Sequence, residues 1–148
     1  MTELHAKLLI DYACLLGVNV SLWLTSLGLG KTWPVDFIWS CWPIAHAFLI
    51  RSHIDGERGD FQRCLIAITL VCVWGFRLTL NFVGRGGVGH EDWRYTDMRA
   101  KFGKHFWWIS LLSVFVGQSV FMGAACMPLY GALLDNTPLS VLDAVAGT

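Results

Sequence analysis

Long runs of apolar residues, broken by short polar segments, dominate this chain. Four runs stand out: Leu8 to Leu29, Trp33 to Ile50, Cys64 to Val83 and Phe106 to Tyr130. A helix needs about 20 mostly apolar residues to cross a bilayer core roughly 30 Å thick. The second run is the shortest. As a helix it reaches roughly 27 Å, with Trp33 and Arg51 as interfacial anchors. No run alternates strictly between apolar and polar, which argues against a barrel. In lipid each backbone polar group must be satisfied within the structure, so the runs predict helices. The expected fold is all-α: a polytopic helical membrane protein with about four transmembrane helices in a single membrane domain over 1–148.

The connections add detail. Gly30-Lys31-Thr32 predicts a tight hairpin, with Thr32 as a cap for the second helix. The segment 84–105 is the longest polar stretch and reads as a loop between helices three and four. Within it Tyr95, Met98 and Phe102 recur at helical spacing and predict a short interfacial helix. After Asp135, Asn136 and Pro138 a weakly apolar tail predicts the start of a further helix within 131–148. The N-terminus lacks a basic n-region, so the first run is expected to stay as a spanning helix. Lys31, Arg85, Arg94, Arg99, Lys101 and Lys104 fall on one side, joined by a snorkelling Arg77. Lys7, Arg51, Arg58 and Arg63 fall on the other. The positive-inside rule then puts the 84–105 loop in the cytoplasm.

Composition agrees with the pattern. Of 148 residues, 55% are hydrophobic and 15% charged, the formal net charge is zero, and the mean hydropathy is +0.52. This excludes a disordered chain. It also argues against a nucleic-acid partner, because there is no basic excess to displace counterions. The expected location is an integral, multi-pass position in the endoplasmic reticulum or a bacterial inner membrane. The cysteines Cys14, Cys41, Cys64, Cys72 and Cys126 form no CxxC pair and read as small hydrophobes.

Candidate chemistry concentrates in few places. Gly84-Arg85-Gly86-Gly87-Val88-Gly89 spells G-x-G-x-x-G, but it follows a spanning helix instead of a strand, so it is not a dinucleotide fingerprint. The glycines still expose backbone N–H groups beside Arg85, which suits a phosphate. The run from His90 to Arg99 is the most polar. It is no metal site, because Arg94 stands where a zinc helix would carry its second histidine. Arg77 lies inside the third apolar run, with Asn81 and Arg85 following it one and two turns on. It is expected to face the bundle or to snorkel, because an arginine among acyl chains is costly. Asp36, Trp39, Pro43 and His46 share one face of the second helix. Gln118 and Asn19 read as interhelical glue, and Asp11 as a structural partner of Lys7.

Three stretches together resemble the membrane-bound steroid 5-alpha-reductase-like family, in its broad and mostly uncharacterised branch. They are Val35-Asp36-Phe37-Ile38-Trp39; Trp74-Gly75-Phe76-Arg77-Leu78 with Asn81-Phe82; and Gly89-His90-Glu91-Asp92-Trp93-Arg94-Tyr95 through Met98-Arg99, Phe102-Gly103 and Phe106-Trp107-Trp108. Gln118 and Pro128-Leu129 also fit. The resemblance implies a helical membrane oxidoreductase of roughly seven spans. It implies reduction by NADPH of a carbon–carbon double bond conjugated to a carbonyl, in a membrane lipid or steroid-like substrate. Under it Arg77, Arg85, Arg94 and Arg99 are candidate cofactor-binding residues. Asp36, His46, Glu91 and Tyr95 are all candidates for the catalytic acid, with none preferred. The family's later Arg-His-Pro-Asn-Tyr run has no counterpart after Tyr130. The chain is therefore expected to be an N-terminal half that binds NADPH only with a C-terminal half in cis or trans. The alternatives are a non-catalytic small membrane protein that acts as an assembly partner and, further off, a methyltransferase of the isoprenylcysteine type.

Overall fold

The computed structural model describes residues 2–52 and 59–140. They form helices joined by short turns, with no strand among the described residues. The elements are α1 (Thr2–Leu29), α2 (Trp33–Ser52), α3 (Phe61–Gly84), α4 (Trp93–Phe102), α5 (Phe106–Ser110) and α6 (Gly117–Leu134). A single 3-10 turn, Gly103–His105, precedes α5, and a π-helical segment, Leu111–Val116, joins α5 to α6.

The turns follow from local chemistry. Gly30 closes α1 at φ 66°, a conformation costly for any residue with a Cβ. Its N–H and that of Lys31 return to the carbonyls of Leu27 and Ser26. Asp60 caps α3 by accepting from the Arg63 amide (2.9 Å), and Asp92 caps α4 through the Arg94 amide (2.9 Å). Thr32, expected as a cap, instead sends its hydroxyl proton across to Glu91 Oε1 (3.0 Å).

The long helices pack as a bundle in which α2 is central, touching α1, α3 and α6. At Gly75 on α3 a Cβ would come within 2.6 Å of the Ser40 carbonyl, so the glycine is what lets α2 and α3 approach. One apolar cluster lies towards the α1–α2 turn, with Trp23, Val35, Tyr95, Phe106, Val114 and Phe115. A middle cluster holds Leu15, Trp42, Met122 and Cys126. The far cluster holds Ala47, Ile50, Cys64, Tyr130 and Leu133.

The polytopic helical fold expected from the apolar runs is the fold observed. Among the described residues three stretches are long and apolar enough to cross a membrane: Ala6–Leu29, Phe61–Gly84 and Trp93–Leu134. In the apolar window of α3 only 11% of residues are buried, which leaves Leu65, Leu70, Val73, Phe76 and Leu80 facing outwards. A soluble protein would hide such a surface; a membrane solvates it. The expected fourth span, α2, has the length at 20 residues. Asp36, His46, Pro34 and Pro43 interrupt it, and Val35, Trp42, His46, Ala47 and Ile50 are buried within the bundle. The five cysteines are all free. Residues 135–140 are not helical, and the rest of the tail expected to begin a further helix lies outside the described residues.

Candidate functional site

A cavity of about 560 Å³ opens where α2, α3 and the start of α6 meet the loop before α4. This volume is in the range of small-molecule and cofactor sites. Its walls combine apolar Trp39, Leu78 and Phe82 with polar Asp36, Arg85, His90, Asp92, Arg94 and Gln118.

The loop reaches the bundle because the α1–α2 turn holds it. Lys31 Nζ donates to the Gly89 carbonyl (2.5 Å), and Thr32 to Glu91. Arg99 Nη2 donates both to Glu91 Oε1 (2.9 Å) and to the Gly30 carbonyl (3.2 Å). The same guanidinium lies over the Phe106 ring at 4.1 Å and the Trp107 ring at 4.9 Å. Gly86 and Gly89 take positive φ of 74° and 76° to turn this loop. A Cβ at Gly87 would come within 2.6 Å of the Phe82 ring, so the loop backbone packs flat on α3 there.

Asp36 stands on the cavity wall in the first turn of α2. Its Oδ1 accepts from Tyr95 Oη at 2.8 Å, and Arg94 Nη2 is 3.7 Å away. Tyr95 is only 3% exposed, behind Asp36, and so acts on the cavity through that carboxyl. Arg94 commits its fork to Asp92, with Nε to Oδ1 at 2.8 Å and Nη2 to Oδ2 at 3.1 Å. These hydrogen bonds hold the Asp92 carboxyl below its ordinary range. Among the described residues the Arg85 guanidinium and the His90 ring make no hydrogen bond or ion pair, and both line the cavity.

The structure thus divides the residues singled out in the sequence. It brings Asp36, Arg85 and Arg94 to one cavity, with Tyr95 directly behind. Glu91 and Arg99 form a separate strut that fixes the loop. Arg77 lies on the exposed side of α3 and does not line the cavity. His46 is ten residues beyond Asp36 on α2, roughly 15 Å along the axis. It is 1% exposed, against Trp42 and Tyr130. Asp11, read as a partner of Lys7, accepts from Tyr130 Oη at 2.7 Å. His90, Asp92 and Trp93, which the sequence offered only as part of a polar run, line the cavity individually, and so does Gln118, read only as glue. For Asp92 a signal existed: an aspartate directly before a helical stripe is a cap, and caps lie at loop mouths.

No curated protein and no solved structure matches the chain. Residues 22–148 match the family described as protein of unknown function DUF1295, and the chain belongs to that family.

Proposed function

We propose that this chain is a membrane oxidoreductase of the steroid 5-alpha-reductase-like type, with NADPH as cofactor and a conjugated carbon–carbon double bond in a lipid as substrate. The observation that supports this reading most is the cavity itself, which joins apolar Trp39, Leu78 and Phe82 to the carboxyl of Asp36 and the guanidinium groups of Arg85 and Arg94.

The residues present suit an anionic cofactor. Among the described residues the Arg85 guanidinium makes no hydrogen bond or ion pair, and the His90 ring lines the same cavity. Both flank a loop where Gly86, Gly87 and Gly89 allow close backbone approach. Arg94 is less available, because Asp92 occupies its fork. Arg99 is a structural strut in this reading, and Arg77 has no part in the site. When bound, NADPH supplies a hydride to the carbon β to the carbonyl. Asp36 is the residue placed to hold a proton at the carbonyl oxygen, and Tyr95 orients it through the 2.8 Å hydrogen bond. Trp39, Leu78 and Phe82 bind the apolar body and keep water away.

The test is NADPH titration by fluorescence in lipid nanodiscs. One arm uses the chain alone and the other adds a C-terminal half in cis or trans. Binding is expected in the second arm, and Arg85→Ala is expected to weaken it roughly ten- to a hundredfold. Equal affinity with and without Arg85 would remove the cavity mouth from the cofactor site. Absence of binding in both arms would favour a non-catalytic assembly role.

A further inference from the structure

Arg77 lies inside the apolar span of α3. Gly75, two positions before it, is where α3 packs closely on α2. Two residues turn a helix by about 200°, so Arg77 points away from α2, and it is exposed. Among the described residues it makes no hydrogen bond or ion pair. An arginine on a lipid-facing surface is costly, and intramembrane arginines face protein or water as a rule. Asn81, one turn on, is exposed on nearly the same face and adds an amide to it.

The depth of Arg77 argues against a lipid headgroup as its partner. It stands seven residues before Gly84, where α3 ends, so its Cα is roughly 10 Å below that end. Cα–Cβ bonds on a helix tilt towards the N-terminus. The Arg77 side chain therefore sets out away from the nearer end of α3, and must turn back to climb to a phosphate. The surface around it has room for another helix. Leu70, Val73 and Leu80 are each at least half exposed. Only 11% of the apolar window of α3 is buried, against 22% in α1 and 33% in the stretch that ends with α6.

A second copy of the chain does not supply the missing acceptor. Copies in one membrane share an orientation, so a two-fold pairing of this face brings Arg77 against Arg77. The acidic residues within the four apolar runs are Asp11 and Asp36. Asp11 is 1% exposed and holds Tyr130, and Asp36 holds Tyr95.

We infer that the outward face of α3 docks a partner transmembrane helix that carries an aspartate or glutamate level with Arg77. The carboxylate accepts from the guanidinium fork, and apolar residues of the partner pack on Leu70, Val73 and Leu80. The cavity lies on another flank of α3, at Leu78 and Phe82, so this surface is separate from the proposed reductase site.

The test uses a dansyl-labelled, leucine-rich transmembrane peptide with one glutamate at the depth of Arg77, and its all-leucine counterpart. Each is titrated against the full chain in phosphatidylcholine vesicles, and association is read as energy transfer from the chain's tryptophans. The glutamate peptide is expected to associate about tenfold more tightly. Arg77→Leu is expected to abolish that preference and to leave the all-leucine peptide unaffected, which separates recognition from misfolding. Arg77→Lys keeps the charge without the fork and is expected to retain part of the preference. Equal association of the two peptides, or a preference that survives Arg77→Leu, overturns the inference. A second arm adds phosphatidylglycerol to the vesicles. Enrichment of that lipid around the chain that depends on Arg77, with no preference between the peptides, assigns the guanidinium to headgroups and overturns the inference as well.

Discussion

Polar residues gather in two parts of this bundle, and they are treated in opposite ways. Around the cavity mouth most of them saturate one another, with Arg85 and His90 the exceptions among the described residues. Glu91 takes Thr32 and Arg99, Asp36 takes Tyr95, and Asp92 takes Arg94. Deeper, among α1, α2 and α6, Asp11 pairs with Tyr130 while both His46 nitrogens, the Trp42 indole N–H and Asn19 Oδ1 stay unpartnered. At the mouth a glycine-rich loop lets donors and acceptors swing together. Within the bundle each side chain is fixed by a helix, so a polar group meets a partner only if the register supplies one. The mouth is therefore where polar chemistry is organised, and His46, despite its depth, is not a member of that site.

The largest expected effect breaks the mouth network. Arg99→Ala removes the Glu91 pair, a contact to the Gly30 carbonyl and the stacking on Phe106 and Trp107. It also leaves Glu91, only 18% exposed, without its cation. A loss of about 3 kcal/mol is expected, measured by thermal or denaturant unfolding in detergent. Adding Glu91→Ala should restore part of it, because the uncompensated carboxylate disappears. Strict additivity in that cycle would show that the pair does not hold the loop.

Next in size, Tyr95→Phe deletes one hydroxyl and leaves the packing of a ring that is 3% exposed. About 1 kcal/mol of stability should be lost with the hydrogen bond to Asp36. In the proposed reductase kcat should fall more than KM rises, since Tyr95 orients Asp36 and does not touch the ligand. A pure KM effect would place Tyr95 in ligand binding instead.

The deeper cluster should respond with the opposite sign. His46→Phe preserves a ring against Trp42 and Tyr130, at centroid distances of 5.7 and 5.5 Å, and deletes two buried polar atoms that have no partner. Unfolding in detergent should show no loss, or a gain of about 1 kcal/mol. A clear destabilisation would reveal a partner for the imidazole and return His46 to the list of functional candidates.

The helices were legible because apolar runs of this length have few other solutions in lipid. Asp36 and Tyr95 were legible as individual polar residues near helix starts. Their contact was not, because it joins positions 59 apart and depends on how the α1–α2 turn receives the later loop. The same holds for Arg94 and Arg99. Both read as free phosphate forks, yet their neighbours Asp92 and Glu91 capture them once α4 is capped. Arg77 shows the converse: the spacing to Arg85 is helical, but α3 turns Arg77 outwards while Arg85, just past the helix end, lines the cavity. Gln118 reads as interhelical glue from its place in an apolar helix, yet its Oε1 has no partner and the residue lines the cavity, a contact that depends on three helices and a loop meeting.

The smallest effect isolates charge from capping at the mouth. Asp92 serves α4 twice, as a cap through the Arg94 amide and as an ion-pair partner of the Arg94 side chain. Asparagine caps a helix about as well as aspartate, so Asp92→Asn keeps the first role and removes the second. The pair is largely exposed, with Arg94 at 56%, and solvent screens it, so a cost of about 0.5 kcal/mol is expected. The pH dependence carries the clearer signature. The Arg94 hydrogen bond lowers the Asp92 carboxyl below its unfolded value, so the folded state holds fewer protons than the unfolded chain in that range. This contribution is complete above the unfolded value, about pH 4, and is lost as pH falls through the folded one. Stability measured from pH 7 to pH 3 should therefore fall less steeply below about pH 4 in Asp92→Asn than in the unaltered chain. Parallel curves would mean that Asp92 acts on α4 as a cap alone, and that the fork of Arg94 is free for an anionic ligand after all.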